Sequence, residues 1–420
     1  MRSIRIDEFG LKKQLDFSFM FMEVRSSRSQ KKSNFMSKLS SPKRLTYLET
    51  ARGFASIIVV FHHFLLGFFP LLKESVVQGG LKGTPLYIFV NGNGAVVFFF
   101  VLSGFVLTRK FYKEFSASDL TASMLKRLPR LMLPAGLSML IGAVILIYFS
   151  EAHSAAARLT DSAWLAAFAS AGTSENFVPS FLDAAEKSLL VFLWPHYFYQ
   201  YNSNLWTMVY EFYGSLLVFI LAAAYGLKFF KKKYSVVVLH LLIAFLCISL
   251  DQLLFIPFVI GSLIAFFHCN RPSWFQIPSW SIAIIIVIMV AGYSVDYWSA
   301  LLLASTAAML LLLCTPSLEQ WMSGPVGLFL GRLSFPLYLV HVLVIVSITS
   351  AAYTILSEYG LKHWEVLALC LALTWVVSFL AALPFMVLEK VWVQKINYWS
   401  RAVVKRLSML MPAEARQTER

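Results

Sequence analysis

Apolar runs of about twenty residues follow one another along most of this chain, separated by short polar breaks. Read by hydropathy, the breaks define about ten spans, near 53–71, 87–108, 131–149, 205–227, 234–250, 252–268, 279–294, 297–315, 333–353 and 366–388. The expected fold is therefore all-α, a polytopic membrane protein with about ten transmembrane helices. Residues 1–44 read as a disordered basic cytosolic tail, 45–390 as the transmembrane domain, and 391–420 as a basic amphipathic cytosolic tail with Trp392, Lys395, Trp399, Arg401, Lys405 and Arg406. A long connection over 150–204 closes with the aromatic stretch Trp194 to Tyr201, which suits a membrane–water interface.

Composition agrees with this pattern. The chain is 58% hydrophobic and 14% charged, against roughly a quarter charged in a soluble domain. The net charge of +14 sits in tails and short loops, so it reports topology and not a basic groove for nucleic acid. Arg109, Lys110, Lys113, Lys126, Arg127 and Arg130 fall between spans two and three. Lys228 and Lys231 to Lys233 follow span four, Arg271 follows span six, and Arg332 precedes span nine. With ten spans these lie on one side, together with both termini, and the positive-inside rule makes that side cytosolic, with a plasma or inner membrane as the expected location. The opposite side receives only Lys73, Lys82, Arg158, Lys187 and Lys362. Cys247, Cys269, Cys314 and Cys370 are dispersed and form no metal-ligand spacing.

Five short elements interrupt the apolar pattern with polar chemistry. Span one carries Arg52 and His63, ionisable groups that are costly at membrane depth. Eleven residues at about 100° each come to roughly 20° past three turns, so the two share a helix face about 16 Å apart. His62 points about 80° away from Arg52. Glu49, one turn before Arg52, also offers a simple surface ion pair. Span two contains Phe99-Phe-Val-Leu-Ser103-Gly104-Phe105, in which Gly104 permits close helix approach and Ser103 can bind backbone or ligand. At the start of span three, Arg127 and Arg130 are cations able to grip phosphates, or ordinary positive-inside charge. Leu205-Trp206-Thr-Met-Val-Tyr-Glu211 opens span four, and Glu211 is its one carboxylate, a candidate for acid–base or orienting work opposite His63. Span nine holds Ser334-Phe-Pro336-Leu-Tyr338-Leu-Val-His341, with Tyr338 and His341 as i, i+3 neighbours.

Taken in this order, the five elements resemble the acyltransferase-3 family of integral membrane acyltransferases. The family's Arg with a His eleven residues later is matched by Arg52 and His63, its Phe-Phe-x-x-Ser-Gly-Phe by Phe99 to Phe105, and its Arg-x-x-Arg with a following Pro by Arg127, Arg130 and Pro134. Leu205 to Glu211 and Ser334 to His341 match the remaining two motifs. The chain departs from the pattern at Glu49, at Thr50 where Gly is usual, and at Phe335-Pro336. The resemblance implies transfer of an acyl group, most often acetyl from acetyl-CoA, to a hydroxyl of a carbohydrate, glycan or lipid-linked acceptor. It implies His63 as the catalytic residue, with Arg52 supporting it or the acyl donor; Glu211, read from its own position in span four, is expected to join them by orienting the His or the acceptor. His62, Ser103, Arg127, Arg130, Trp206, Tyr338 and His341 are the expected substrate and cofactor contacts. Acyl-CoA is expected as a co-substrate and not as a resident cofactor, and no metal is expected. The competing reading is a proton-coupled transporter in which His63 and Glu211 relay protons, but the internal repeats such a protein needs are not visible.

Overall fold

The computed structural model describes residues 45–169, 177–193, 199–227 and 233–410. The 1–44 tail, Trp194 to Phe198 of the aromatic stretch, and Lys228, Lys231 and Lys232 lie outside the described residues. No strand occurs among those described; sixteen α-helices, joined by short 3₁₀ pieces and by one π-helical turn at Ile345–Thr349, carry the chain. They are α1 (Thr46–Phe68), α2 (Gly92–Lys113), α3 (Ala117–Leu125), α4 (Arg127–Tyr148), α5 (Ser150–Thr160), α6 (Ala163–Ala166), α7 (Phe181–Leu190) and α8 (Met208–Gly226). The second half comprises α9 (Lys233–Ser249), α10 (Ile256–Asn270), α11 (Ser279–Tyr293), α12 (Trp298–Cys314), α13 (Pro316–Met322), α14 (Pro325–Val344), α15 (Ser350–Glu358) and α16 (His363–Leu410).

A helix stands at each of the ten expected places, but not every one is long enough to cross a membrane alone. Among the described residues 7 helices qualify by length and composition, or 8 if α12 and α13, bent by 89° at their break, count as one broken span. At about 1.5 Å per residue, α11 and α9 extend roughly 22 to 26 Å, less than the ~30 Å hydrocarbon core. The break at Thr315 has a direct cause: Pro316 disfavours helical backbone in the residue before it. Pro336, in contrast, leaves α14 unbroken. Just past it, Asn204 Nδ2 donates to the Tyr338 carbonyl at 2.9 Å and Asn202 Nδ2 to that of Leu339 at 2.8 Å.

The boundary expected at residue 390 does not exist as a structural break. Helix α16 runs on through it to Leu410. Trp392 Nε1 donates to the Pro129 carbonyl at 2.8 Å, and Lys126 Nζ reaches Asn397 Oδ1 at 3.4 Å. Residues past 390 therefore hold the start of α4.

The helix pair that matters most for chemistry is α1 with α14. Gly53 lies against Leu330 and Gly331, where an added Cβ would meet Leu330 Cβ at 2.7 Å; Gly327 fits under Thr50 in the same way. Small residues let two backbones approach this closely. The family's Gly at position 50 is Thr here, and Gly327 makes room for it while Thr50 Oγ1 donates to the Met322 carbonyl at 2.5 Å. Helix α2 packs on α10 by the same device, with Gly104 against the backbone of Phe258.

Candidate active site

His63 meets His341 across the α1–α14 contact, Nδ1 to Nε2, at 3.0 Å. His341 is fully buried, and its Nδ1 lies 2.9 Å from the carbonyl of Leu337 one turn earlier. A carbonyl only accepts, so His341 Nδ1 carries the proton and its Nε2 is the acceptor. His63 must then donate from Nδ1. The chain of bonds leaves His63 Nε2 with a free lone pair. Among the described residues nothing hydrogen-bonds that nitrogen, and His63 is only half-buried. A neutral imidazole oriented through its far nitrogen, with the near one open, has the geometry of a general base or nucleophile.

Trp164 covers this imidazole from the 150–204 connection. Its ring stacks on His63 with centroids 5.4 Å apart and planes 21° apart. Ser162 fixes the turn that carries it, capping α6 at Leu165 N and donating to the Leu66 carbonyl at 2.7 Å. Asp161, Phe168 and Ala169, on either side of α6, hold positive φ values of 53°, 46° and 60°. Non-glycine residues pay for that conformation, so the loop is shaped against its local preference.

His62 faces a different set of partners. The Gly92 amide donates to its Nδ1 at 3.1 Å, and Lys73 Nζ approaches the same atom at 2.7 Å. Gly92 is required for this approach, since a Cβ there would stand 2.5 Å from His62 Cγ. Lys73 also donates to the Val90 carbonyl at 2.9 Å and to Tyr87 Oη at 3.0 Å, and Tyr87 donates in turn to Asp296 at 2.5 Å. Lys82 sits 3.6 Å from the same carboxylate. Burial pushes the Lys73 ammonium down to about 8, the Asp296 charge opposing and the Lys82 charge adding to that shift. Burial and the bond to Asp296 push the Tyr87 phenol above its ordinary range.

A second polar layer lies deeper. Ser103 Oγ donates to Glu211 Oε1 at 2.9 Å, and Arg127 forms a close ion pair with the same oxygen. Both charged side chains are nearly buried, at 9% and 16% exposure, and Arg127 Nε has no acceptor among the described residues. Arg127 also feels the charges of Arg130 and Arg52. Eleven residues separate Gly92 from Ser103 on α2, as they separate Arg52 from His63 on α1, so the two layers stand roughly 16 Å apart.

The structure thus divides the expected residues between two sites and leaves some outside. His63, His62 and His341 share the outer layer; Ser103, Arg127 and Glu211 share the deeper one. Glu211 lies in the first turn of α8 and is held by Arg127 and Ser103, while His341 takes the position beside His63. Arg52 pairs with Glu49 at 3.1 Å, and Arg130 with Glu389 at 3.1 Å. Tyr338 points its hydroxyl to Thr207 at 2.5 Å, tying the fourth motif to the fifth. Trp206 is part-exposed and packs edge-on against Tyr210, apart from both layers. Sequence reasoning missed Lys73, Gly92 and Trp164. The run Asn91-Gly92-Asn93-Gly94 carries a helix-start signature, and Asn91 does cap Gly94 N at 2.8 Å. Beginning span two at 87 concealed it, because 85–90 is apolar yet folds as a 3₁₀ piece before the helix.

Comparison with known families decides the coarse activity. The model of the acyltransferase domain of the acyltransferase-3 family matches residues 45–389. The chain belongs to that family. It is a membrane acyltransferase, all-α and polytopic. No curated protein and no solved structure matches it.

Proposed function

We propose that this acyltransferase moves an acyl group, acetyl in the first instance, from acyl-CoA to a hydroxyl of a carbohydrate, glycan or lipid-linked acceptor. The observation that carries the reading is the Leu337–His341–His63 hydrogen-bond chain, which leaves His63 Nε2 free to take the proton of an attacking hydroxyl. Acyl-CoA is assigned to the side bearing Arg52, Arg127 and Arg130. The basic loops make that side cytosolic, and guanidinium groups bind phosphates in bidentate fashion. Arg127 is held in place by Glu211, whose carboxylate also accepts from Ser103, and its cation is thereby fixed on the donor side. The spacing between the layers, roughly 16 Å, is on the scale of an extended pantetheine arm, so phosphates held at the arginine layer leave the thioester near His63. The acceptor then approaches from the opposite face, under Trp164.

Labelled acetyl-CoA supplied to membranes carrying the full chain tests this. Ester label should appear on glycan or lipid with the wild type and be lost with His63→Ala. Full labelling by His63→Ala would overturn the assignment of the base, and labelling from free acetate but not from acetyl-CoA would overturn the donor.

A further inference from the structure

We propose that His62 is a second catalytic residue of the transfer, the hydrogen-bond donor that stabilises the oxygen of the acyl carbonyl while His63 handles the proton. The inference rests on the acyl-transfer reading above and assigns a group which that reading leaves idle. It begins with the two bonds at His62 Nδ1. A backbone amide can only donate, and so can an ammonium; both point at Nδ1, from Gly92 at 3.1 Å and Lys73 at 2.7 Å. Nδ1 therefore presents its lone pair, the ring is neutral, and its one proton sits on Nε2. The Val90 carbonyl, 3.0 Å from the same nitrogen, is satisfied by Lys73 and does not need that proton.

Nε2–H is thus a fixed donor with nothing to donate to. Among the described residues no group hydrogen-bonds to it, and it is not one of the side-chain nitrogens sealed from solvent without a partner. An N–H that reaches solvent and has no protein partner is available to a ligand. Gly92 opens the 22-residue helix α2, so the partial positive charge of a helix N-terminus lies beside the ring and strengthens the donor. The imidazoles of His62 and His63 lie edge to face with centroids 5.1 Å apart, so the two rings are immediate neighbours.

The acceptor hydroxyl oxygen bonds to the thioester carbonyl carbon as its proton passes to His63 Nε2. The carbonyl π pair moves onto oxygen, where the His62 Nε2–H bond shortens and holds the negative charge. Return of that pair breaks the carbon–sulfur bond, and the proton on His63 passes to the leaving thiolate. An ester and a free thiol result, with both histidines restored. A donor aimed at charge that develops only in the transition state raises kcat and leaves ground-state binding alone.

The test compares His62→Gln, His62→Asn and His62→Leu with wild type and His63→Ala, using the full chain in membranes and labelled acetyl-CoA. Glutamine places an N–H near the position of Nε2, asparagine stops near Nδ1, and leucine has no donor. Expected are a kcat within about tenfold of wild type for His62→Gln, a fall of about 10²–10³-fold for His62→Asn and His62→Leu, and an unchanged KM for acetyl-CoA throughout. If His62→Leu does not accumulate in the membrane, the Gln and Asn pair decides. Equal kcat for that pair, or a loss confined to KM, overturns the proposal. Full activity of His63→Ala overturns the reading beneath it, whereas an inactive His63→Ala beside a fully active His62→Leu overturns this inference alone.

Discussion

Gly53 and Gly331 touch ten residues before His63 and His341 respectively, so α1 and α14 run parallel and in register from the glycine contact to the histidine pair. The glycines sit about 15 Å from the imidazoles along the helices, yet they set how closely the two rings approach. Gly53→Val or Gly331→Val inserts methyl groups where no space exists. We expect a stability loss of about 1–3 kcal/mol and a fall in transfer beyond what the lost stability explains. Thermal unfolding in detergent beside kcat on the surviving fraction measures both, and normal kcat in a folded Gly53→Val protein would refute the register argument.

His341 orients His63 through its acceptor nitrogen. His341→Phe keeps the volume and removes the acceptor, and kcat should fall by about 10²–10⁴-fold with little change in acetyl-CoA KM. His341→Gln, which offers an amide oxygen near Nε2, should recover part of that loss.

Arg127 and Glu211 form a buried pair, so removing one leaves the other uncompensated. Arg127→Leu is expected to destabilise by about 3–5 kcal/mol, and Glu211→Leu in the Arg127→Leu background should restore much of it. Acetyl-CoA KM should rise in both the single and the double variant, because stability returns but the cation does not. A double variant with wild-type KM would remove Arg127 from the donor site.

Lys73 gives a pH dependence with a defined sign. Its value in the fold, about 8, lies below the ordinary 10.5, so the charged form is the disfavoured one in the folded protein. The unfolded chain holds the proton between pH 8 and 10.5 while the folded chain releases it; stability from this group therefore rises across that window and is lowest below pH 8. Activity should move the other way, since loss of the ammonium weakens the bond to His62 Nδ1 among its neighbours Tyr87, Asp296 and Lys82. Transfer should decline as pH passes 8. Lys73→Arg, charged throughout, should lack that decline, and a wild-type profile in Lys73→Arg would assign the limb to another group.

Trp164 shields the His63 ring from water. Trp164→Ala should raise acetyl-CoA hydrolysis relative to transfer, by about tenfold in the ratio, because an uncovered base activates water as readily as an acceptor. Parallel assays of free acetate and of esterified product read this directly.

The apolar periodicity located every long helix, because burial in lipid leaves few alternatives to a helix and writes itself into runs of about twenty residues. Helix phase placed Arg52 and His63 on one face, and the fifth motif contained His341. What the pattern could not show was partnership. His341 lies 278 residues from His63, and no local rule says which buried carboxylate or imidazole an α1 histidine will meet. Glu211 was the reasonable guess from chemistry; packing gave it to Arg127. Lys73 and Trp164 were hidden for a different reason. They sit on short connections whose conformation is set by tertiary contacts and, at Asp161, Phe168 and Ala169, runs against local preference.

The parallel pairing of α1 and α14 has a consequence for biogenesis. Two neighbouring helices in a simple hairpin run antiparallel, so a parallel pair must be assembled from segments made far apart in time. A nascent chain that has inserted α1 carries His63 with an undirected imidazole for as long as Pro325–Val344 is still to be synthesised. On the proposed mechanism the base is complete only when the last third of the protein closes against the first helix, so a chain truncated before α14 should show no transfer.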